Sequence, residues 1–192
     1  ESESKKIKFY DNIDPIQFQN SIQKFDIEKL GVIIISKSGT TLETLCQFSS
    51  MIEIFQTKKN ANKLLEDCLI ITENKESPLK KIANSYNCKI LYHHPEIGGR
   101  FSIFSNVGLL PASIAGLDIV KIREGAKNLI SEVKDGHFKE HLISAQLMLS
   151  LQNIRKINLS VLMTYSDALY YYGKWYLQLW AESIGKNSRG IT

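Results

Sequence analysis

The 192-residue chain is 43% hydrophobic and 23% charged, enough apolar content to bury a core and too much for a disordered or fibrous protein. Its formal net charge of +4 comes from lysines and arginines scattered among acids, so no basic block marks a nucleic-acid surface, and a small anionic ligand suits the balance. Cys46, Cys68 and Cys88 are odd in number and contain no Cys-x-x-Cys pair, which argues against a disulfide frame or a zinc site and for buried cytosolic thiols.

No apolar run approaches the roughly 18 to 20 residues that a membrane helix needs, and no signal-peptide pattern opens the chain. A soluble cytoplasmic protein is therefore expected, with no membrane partner. The first residue is Glu1, not Met, and a strand is expected within a few residues of it, so a portion upstream is expected as well.

In chain order, Ile7-Lys8-Phe9-Tyr10 predicts a strand, and Asp14-Pro15 offers an N-cap and an N1 proline for a helix through about Phe25. Gly31-Val32-Ile33-Ile34-Ile35 is short, apolar and β-branched, the pattern of a parallel strand covered on both faces. Ser36-Lys37-Ser38-Gly39-Thr40-Thr41-Leu42-Glu43-Thr44 follows, and Leu42, Leu45, Phe48, Ile52 and Phe55 then recur at helical spacing. The hydroxyl-rich turn thus sits at a helix N-terminus. Free N–H groups and the positive dipole end favour a phosphate there, the hydroxyls add donors, and Gly39 lets the backbone approach closely. The alternative is an ordinary capping box with Thr40 as cap and Glu43 reaching back. Capping uses one hydroxyl, however, and the stretch holds four in Ser36, Ser38, Thr40 and Thr41.

The helix is expected to end near Lys58 and Lys59, with residues 60–67 as a connecting loop. Leu69-Ile70-Ile71-Thr72 predicts a buried strand, Ser77-Pro78 the start of a helix to about Tyr86, and Lys89-Ile90-Leu91-Tyr92 another strand. Strands alternating with helices at these intervals predict right-handed βαβ units, hence an α/β fold with a doubly wound parallel sheet. Such sheets bind ligands beyond the carboxyl ends of their strands, where Ser36 to Thr41 would lie.

His93-His94-Pro95-Glu96-Ile97-Gly98-Gly99-Arg100-Phe101-Ser102 follows a strand in the same way. Adjacent histidines suggest a metal, yet neighbouring strand residues point to opposite faces and rarely chelate one ion, so no metal site is assigned. Gly98-Gly99 permits a tight fold that aims Arg100 inward; an exposed Arg paired with an acid is the alternative.

Residues 105–115 and 119–133 read as helices separated by Gly116, with Pro111 inside the first, and Lys134-Asp135-Gly136 is a break. A long helix over 138–156 leads to the apolar strand Leu159-Ser160-Val161-Leu162-Met163-Thr164-Tyr165, and Ser166-Asp167 caps a last helix. The domains are read as 1–116, a connecting helix and linker over 117–137, and the start of a second similar domain over 138–192. On the last helix Lys174, Gln178 and Glu182 are four apart, forming one polar line among Leu169, Tyr172, Trp175, Tyr176, Leu179 and Trp180. Aromatic neighbours that desolvate a carboxylate raise its pKa, which would make Glu182 a proton-transfer base; a partly exposed i,i+4 stripe is the alternative.

Together these stretches resemble the glucose-6-phosphate isomerase family across nearly the whole chain. Ser36 to Thr44 is similar to the family's phosphate loop, in the form of its shorter bacterial members. Gly98-Gly99-Arg100-Phe101-Ser102 is similar to its Gly-Gly-Arg segment, and Gln178-Leu179-Trp180-Ala181-Glu182-Ser183-Ile184-Gly185-Lys186 to the segment bearing its catalytic Glu. Ile184 and Pro95 depart from the commoner residues at their places. The resemblance implies two sugar-isomerase (SIS-type) α/β sandwich domains and an isomerase of glycolysis and gluconeogenesis, working as a homodimer without metal or organic cofactor. It implies that Ser36, Ser38 and Thr41, with the Lys37 backbone and the intervening Gly39 and Thr40, hold the 6-phosphate of an open-chain sugar. It further implies that Glu182 moves a proton between C1 and C2 through a cis-enediol, that Arg100 stabilises the enediolate, and that Gln178 orients substrate or base. The family's Gly-Gly-Ser loop lies before the position of Glu1, and its ring-opening His and a terminal Lys lie past Thr192. His93, His94, His137 and His141 match none of these places. An internal segment is thus implied, inactive if taken alone; a phosphosugar-binding regulatory module is the rival expectation.

Overall fold

The computed structural model describes residues 7–57, 61–137 and 139–184, and the chain divides into two compact units between Leu117 and Asp118.

The first unit is built on a parallel sheet of β1 (Ile33–Ile35), β2 (Leu69–Thr72) and β3 (Lys89–Tyr92), in the spatial order β1-β2-β3. Ile34 sits opposite Ile70, and Ile70 opposite Ile90. Crossover helices separate the strands: α2 (Leu42–Gln56) and α3 (Ala61–Glu66) before β2, and α4 (Pro78–Ser85) before β3. Helix α1 (Pro15–Ile22) precedes the sheet, and α5 (Asn106–Ile114) follows it after a 3₁₀ turn over Gly99–Phe104.

One sheet face makes the core. Strand side chains alternate between faces, so Val32, Ile34, Cys68, Ile70, Cys88 and Ile90 share a side, and all pack with Phe48, Met51, Ile52 and Phe55 of α2, Leu64 and Leu65 of α3, and Leu79 and Ala83 of α4. Burying each of the larger apolar side chains contributes about 1.5–3 kcal/mol. Phe18 and Ile22 of α1 close the same cluster. Local chemistry starts two of these helices as expected: the Asp14 carboxylate accepts from Ile16 N and Gln17 N, each at 3.0 Å, and Ser77 Oγ from Lys80 N at 3.2 Å, each cap followed by proline.

Several expectations are corrected. Residues 7–10 are not a strand. Tyr10 stacks edge-on against Phe18 at 5.2 Å and shares a 2.6 Å hydrogen bond with Ser21, which Lys8 also reaches, so side-chain ties to α1 replace a ladder. Helix α3 stands where a loop was expected, because Leu64 and Leu65 are buried against the core and the run is rich in good helix formers. Leu42, counted on the apolar face of α2, is 70% exposed. The expected end of α2 at Lys58 and Lys59 lies outside the described residues.

The second unit holds α6 (Ile119–Lys134), α7 (Lys139–Arg155) and α8 (Tyr170–Ser183). Residues 159–165 form no strand among the described residues. A strand needs a neighbour to receive its N–H and C=O groups, and this segment instead lies against α8, where a Cβ on the buried Gly173 would meet Thr164 Cγ2 at 3.1 Å. Ser166 does not cap α8: it precedes a 3₁₀ turn over Asp167–Leu169 and makes no side-chain cap, so the helix begins three residues later than read.

The thiols separate by environment. Cys46 is exposed, whereas Cys68 and Cys88 are buried. Burial, then the neighbouring Cys88 and Asp67, push the Cys68 thiol from 9.0 up to about 12, and burial raises Cys88 as well. In native protein at neutral pH, thiol alkylation followed by peptide mapping is expected to label Cys46 and to spare Cys68 and Cys88 until denaturant is added. A thiol raised on folding favours the native state in full below its unfolded value, so stability is expected to decline from about pH 9 toward pH 12. A Cys68→Ala variant should show a shallower decline in denaturant titrations, with the share from Cys88 remaining.

Candidate active site

The chain leaves β1 through Ser36, which is buried at 5% exposure and whose N–H still donates to Ile71 C=O at 3.0 Å. It turns at Gly39, where φ is +66°, and Leu79 N donates to Gly39 C=O at 3.1 Å. A Cβ at Gly39 would lie 2.7 Å from Ser77 Cβ and 3.2 Å from Thr72 Oγ1. Glycine is therefore required twice, by the left-handed backbone and by the close seat on the end of β2 and the start of α4.

The four hydroxyls are paired with one another. Ser36 Oγ and Thr41 Oγ1 lie 2.8 Å apart, as do Ser38 Oγ and Thr40 Oγ1. Ser36 Oγ also accepts from Gly39 N at 3.1 Å, and Ser38 Oγ from Thr40 N at 3.1 Å. The N-cap of α2 is Thr41, not Thr40, and it makes no side-chain cap bond, so the capping box does not form. The first-turn N–H groups of α2 are thus not consumed by their cap, and Thr40 and Thr41 are exposed beside them. Such a helix end, with hydroxyl donors at hand, suits an anion.

Lys37 joins the three strand ends. Its C=O accepts from Glu73 N at 3.0 Å and from Thr72 Oγ1 at 3.3 Å. Its Nζ lies 3.4 Å from Glu73 Oε1 and donates to Pro95 C=O at 2.6 Å. Lys75 Nζ approaches the other Glu73 oxygen at 2.8 Å. The hydrogen bond from Lys75 first, and then Lys37, hold the Glu73 carboxyl below its ordinary value. Sequence reading assigned only the Lys37 backbone and missed Glu73; its signal was an acid directly after the carboxyl end of a buried strand.

Arg100 lies in the 3₁₀ turn after β3, half-buried, with its guanidinium 4.8 Å from the centre of the Phe101 ring. The turn is held internally by Phe101 N to Gly98 C=O at 3.0 Å and Ser102 Oγ to Gly99 C=O at 2.6 Å. His93 is buried and His94 exposed. His93 Nε2 donates to Ile97 C=O at 3.0 Å, and His94 Nδ1 accepts from Glu96 N at 3.3 Å, so the two rings serve separate turns. Among the described residues no three of His, Cys, Asp and Glu gather closely enough to hold a metal.

The second unit carries the remaining candidates on α8. Gln178 Nε2 donates to Glu182 Oε1 at 3.0 Å, one helical turn on. Lys174, which begins the line, lies 4.9 Å from the Tyr170 ring centre. The expected desolvation of Glu182 is not found: Gln178 and Glu182 are exposed, while Tyr176 and Trp180 stack on each other at 5.7 Å. One helix turns its aromatic and polar stripes to different sides, and enclosure of the polar one needs another element over it.

A hydroxyl-lined turn at a helix N-terminus, beyond the carboxyl ends of parallel strands, belongs to the class of α/β proteins that seat a ligand at that edge. The sequence model of the phosphoglucose isomerase family matches residues 1–190, and the chain belongs to that family. It is 39% identical over 97% of its length to a probable glucose-6-phosphate isomerase of Methanococcus maripaludis, covering 42% of that protein. It is 37% identical over 96% of its length to the glucose-6-phosphate isomerase of Methanocaldococcus jannaschii, covering 45%. The crystal structure of a glucose-6-phosphate isomerase from Chlamydia trachomatis superimposes with a TM-score of 0.77 at 27% identity, covering 94% of this chain and 35% of that one. The chain thus spans less than half the length of these relatives. Among the described residues no helix is long and apolar enough to cross a membrane.

Gly39→Ala is expected to destabilise the first unit by about 2–3 kcal/mol, through left-handed strain and displacement of the Ser77 cap. Denaturant unfolding measures the loss, and pairing with Ser77→Gly should recover part of it.

Proposed function

We propose that the protein carrying this chain interconverts glucose 6-phosphate and fructose 6-phosphate through a cis-enediol. The observation that carries this reading is the turn after β1, whose hydroxyls pair with one another at 2.8 Å instead of capping α2. Membership of the phosphoglucose isomerase family supports the same substrate class. In this reading Ser36, Ser38, Gly39, Thr40 and Thr41, with the Lys37 backbone, grip the 6-phosphate.

Glu182 takes the C2 proton of the open-chain aldose, and the electron pair left behind forms the C1–C2 double bond. The same group returns the proton to C1 while another passes between O2 and O1, leaving a C2 ketone. Arg100 offsets the charge that develops on the enediolate oxygens. The 3.0 Å bond from Gln178 supports a role in orienting the Glu182 carboxylate. The first unit is proposed as a doubly wound SIS-type sandwich, and the working protein as a homodimer; exposed Leu142, Ile143, Leu147 and Leu149 on α7 support an assembled state. Free, buried Cys68 and Cys88 support a cytoplasmic setting.

Glu182→Gln is expected to abolish isomerisation while sugar-phosphate affinity stays within about tenfold, because proton transfer and not phosphate grip is lost. Comparable loss of both removes Glu182 from the base role. Ser38→Ala with Thr41→Ala should chiefly raise KM, and inhibition by phosphorylated sugar acids that survives unchanged in that variant overturns the cradle. Fructose 6-phosphate incubated with the protein in deuterated water should acquire label at C1 or C2; binding without label favours a regulatory sugar-phosphate module instead.

A further inference from the structure

The ring of His93 is 2% exposed and stands at the end of β3, where the segment bearing Arg100 departs. Its backbone N–H extends the sheet ladder to Thr72 C=O at 2.8 Å, so its Cα moves with the sheet. Its two ring nitrogens reach the two arms of the departing segment. Nε2 lies 3.0 Å from Ile97 C=O, and a carbonyl only accepts, so Nε2 carries a proton. Nδ1 lies 3.3 Å from Oδ1 of Asn106, the first residue of α5, whose Nδ2 donates to Tyr92 C=O at 2.9 Å; that oxygen also only accepts, so the contact is a hydrogen bond when Nδ1 carries a proton too. Ile97 directly precedes Gly98-Gly99-Arg100, and Asn106 is where the chain re-enters regular structure.

Several side chains of the turn between these arms face solvent. Gly99 has nothing within 4 Å of where a Cβ would stand, and Phe101, Ile103 and Phe104 are 41–55% exposed. Its internal bonds, Phe101 N to Gly98 C=O and Ser102 Oγ to Gly99 C=O, shape the turn without attaching it to the sheet. The buried His93 ring, bonded to Ile97 and in reach of Asn106, supplies attachment beyond that of Lys37 Nζ to Pro95 C=O, and an alanine or leucine there would leave the Ile97 carbonyl without this donor.

We infer that His93 is a positioning residue for Arg100, clasping both arms of the Gly-Gly-Arg turn to the carboxyl end of β3. The inference rests on the proposed role of Arg100 at the enediolate, and the two are separable by experiment. In the full-length protein, His93→Leu is expected to lower kcat about tenfold with KM changed less than about twofold, as misplacement of a transition-state contact does. His93→Gln, which keeps an amide donor at the reach of Nε2, should restore most of the rate. With Arg100→Ala as background, His93→Leu should cost less than about twofold more, since a residue acting through Arg100 has nothing left to position. Independent, multiplying losses overturn the inference, as does failure of His93→Gln to outperform His93→Leu. If Arg100→Ala itself leaves kcat unchanged, the role of Arg100 fails, and the clasp is judged by amide hydrogen exchange at residues 98–101. Faster exchange in His93→Leu supports it and unchanged exchange overturns it. Should His93→Leu not fold, Asn106→Ala, which opens only the α5 half of the clasp, is read in the same cycle with the same outcomes.

Discussion

The first unit depends on the parallel register of three short strands, because that register sets their carboxyl ends side by side. Ser36 N to Ile71 C=O, Glu73 N to Lys37 C=O and His93 N to Thr72 C=O continue the ladder one residue past the strands. Each strand therefore releases its chain at the same edge, and each release carries chemistry: hydroxyls after β1, an acid after β2, and the Gly-Gly-Arg turn after β3. Parallel strands joined by helical crossovers bring every such exit to one side, whereas antiparallel hairpins would alternate them.

Polar groups at that edge are held by one another more than by packing. The Lys37 ammonium spans from Glu73 to the Pro95 carbonyl, so the exits of β1, β2 and β3 are tied by one flexible side chain. Glu73 takes both Lys37 and Lys75, and this pairing holds its carboxyl below the usual range. The cluster keeps one more positive than negative charge among those three, which suits an edge that receives an anion. Gly39 performs the steric part, letting the loop rest directly on Thr72 and Ser77.

The second unit is organised differently. Its elements are helices with many exposed apolar residues, including Leu147 at 58% and Ile154 at 75%. The polar line of α8 is made within one helix: Gln178 and Glu182 meet because residues four apart share a face. That pairing orients a carboxylate without burying it, so any desolvation of Glu182 must come from outside its own helix.

Sequence alone determined whatever depends on neighbours in the chain. β2 and β3 span the Leu69–Thr72 and Lys89–Tyr92 segments read from the sequence, and the Asp14 and Ser77 caps form because a side chain reaches N–H groups two or three residues away. The hydroxyl surplus of Ser36 to Thr41 and the i,i+4 relation of Gln178 and Glu182 were legible for the same reason. Residues 7–10 and 159–165 carry strand-like composition too, but a strand exists only when another segment accepts its hydrogen bonds, and tertiary contacts sent both against helices instead. Tertiary structure also decided that Lys37 meets Glu73 across 36 positions of sequence and the Pro95 carbonyl further on. Those pairings are set by which exits the sheet register places together, a long-range constraint that no local pattern encodes.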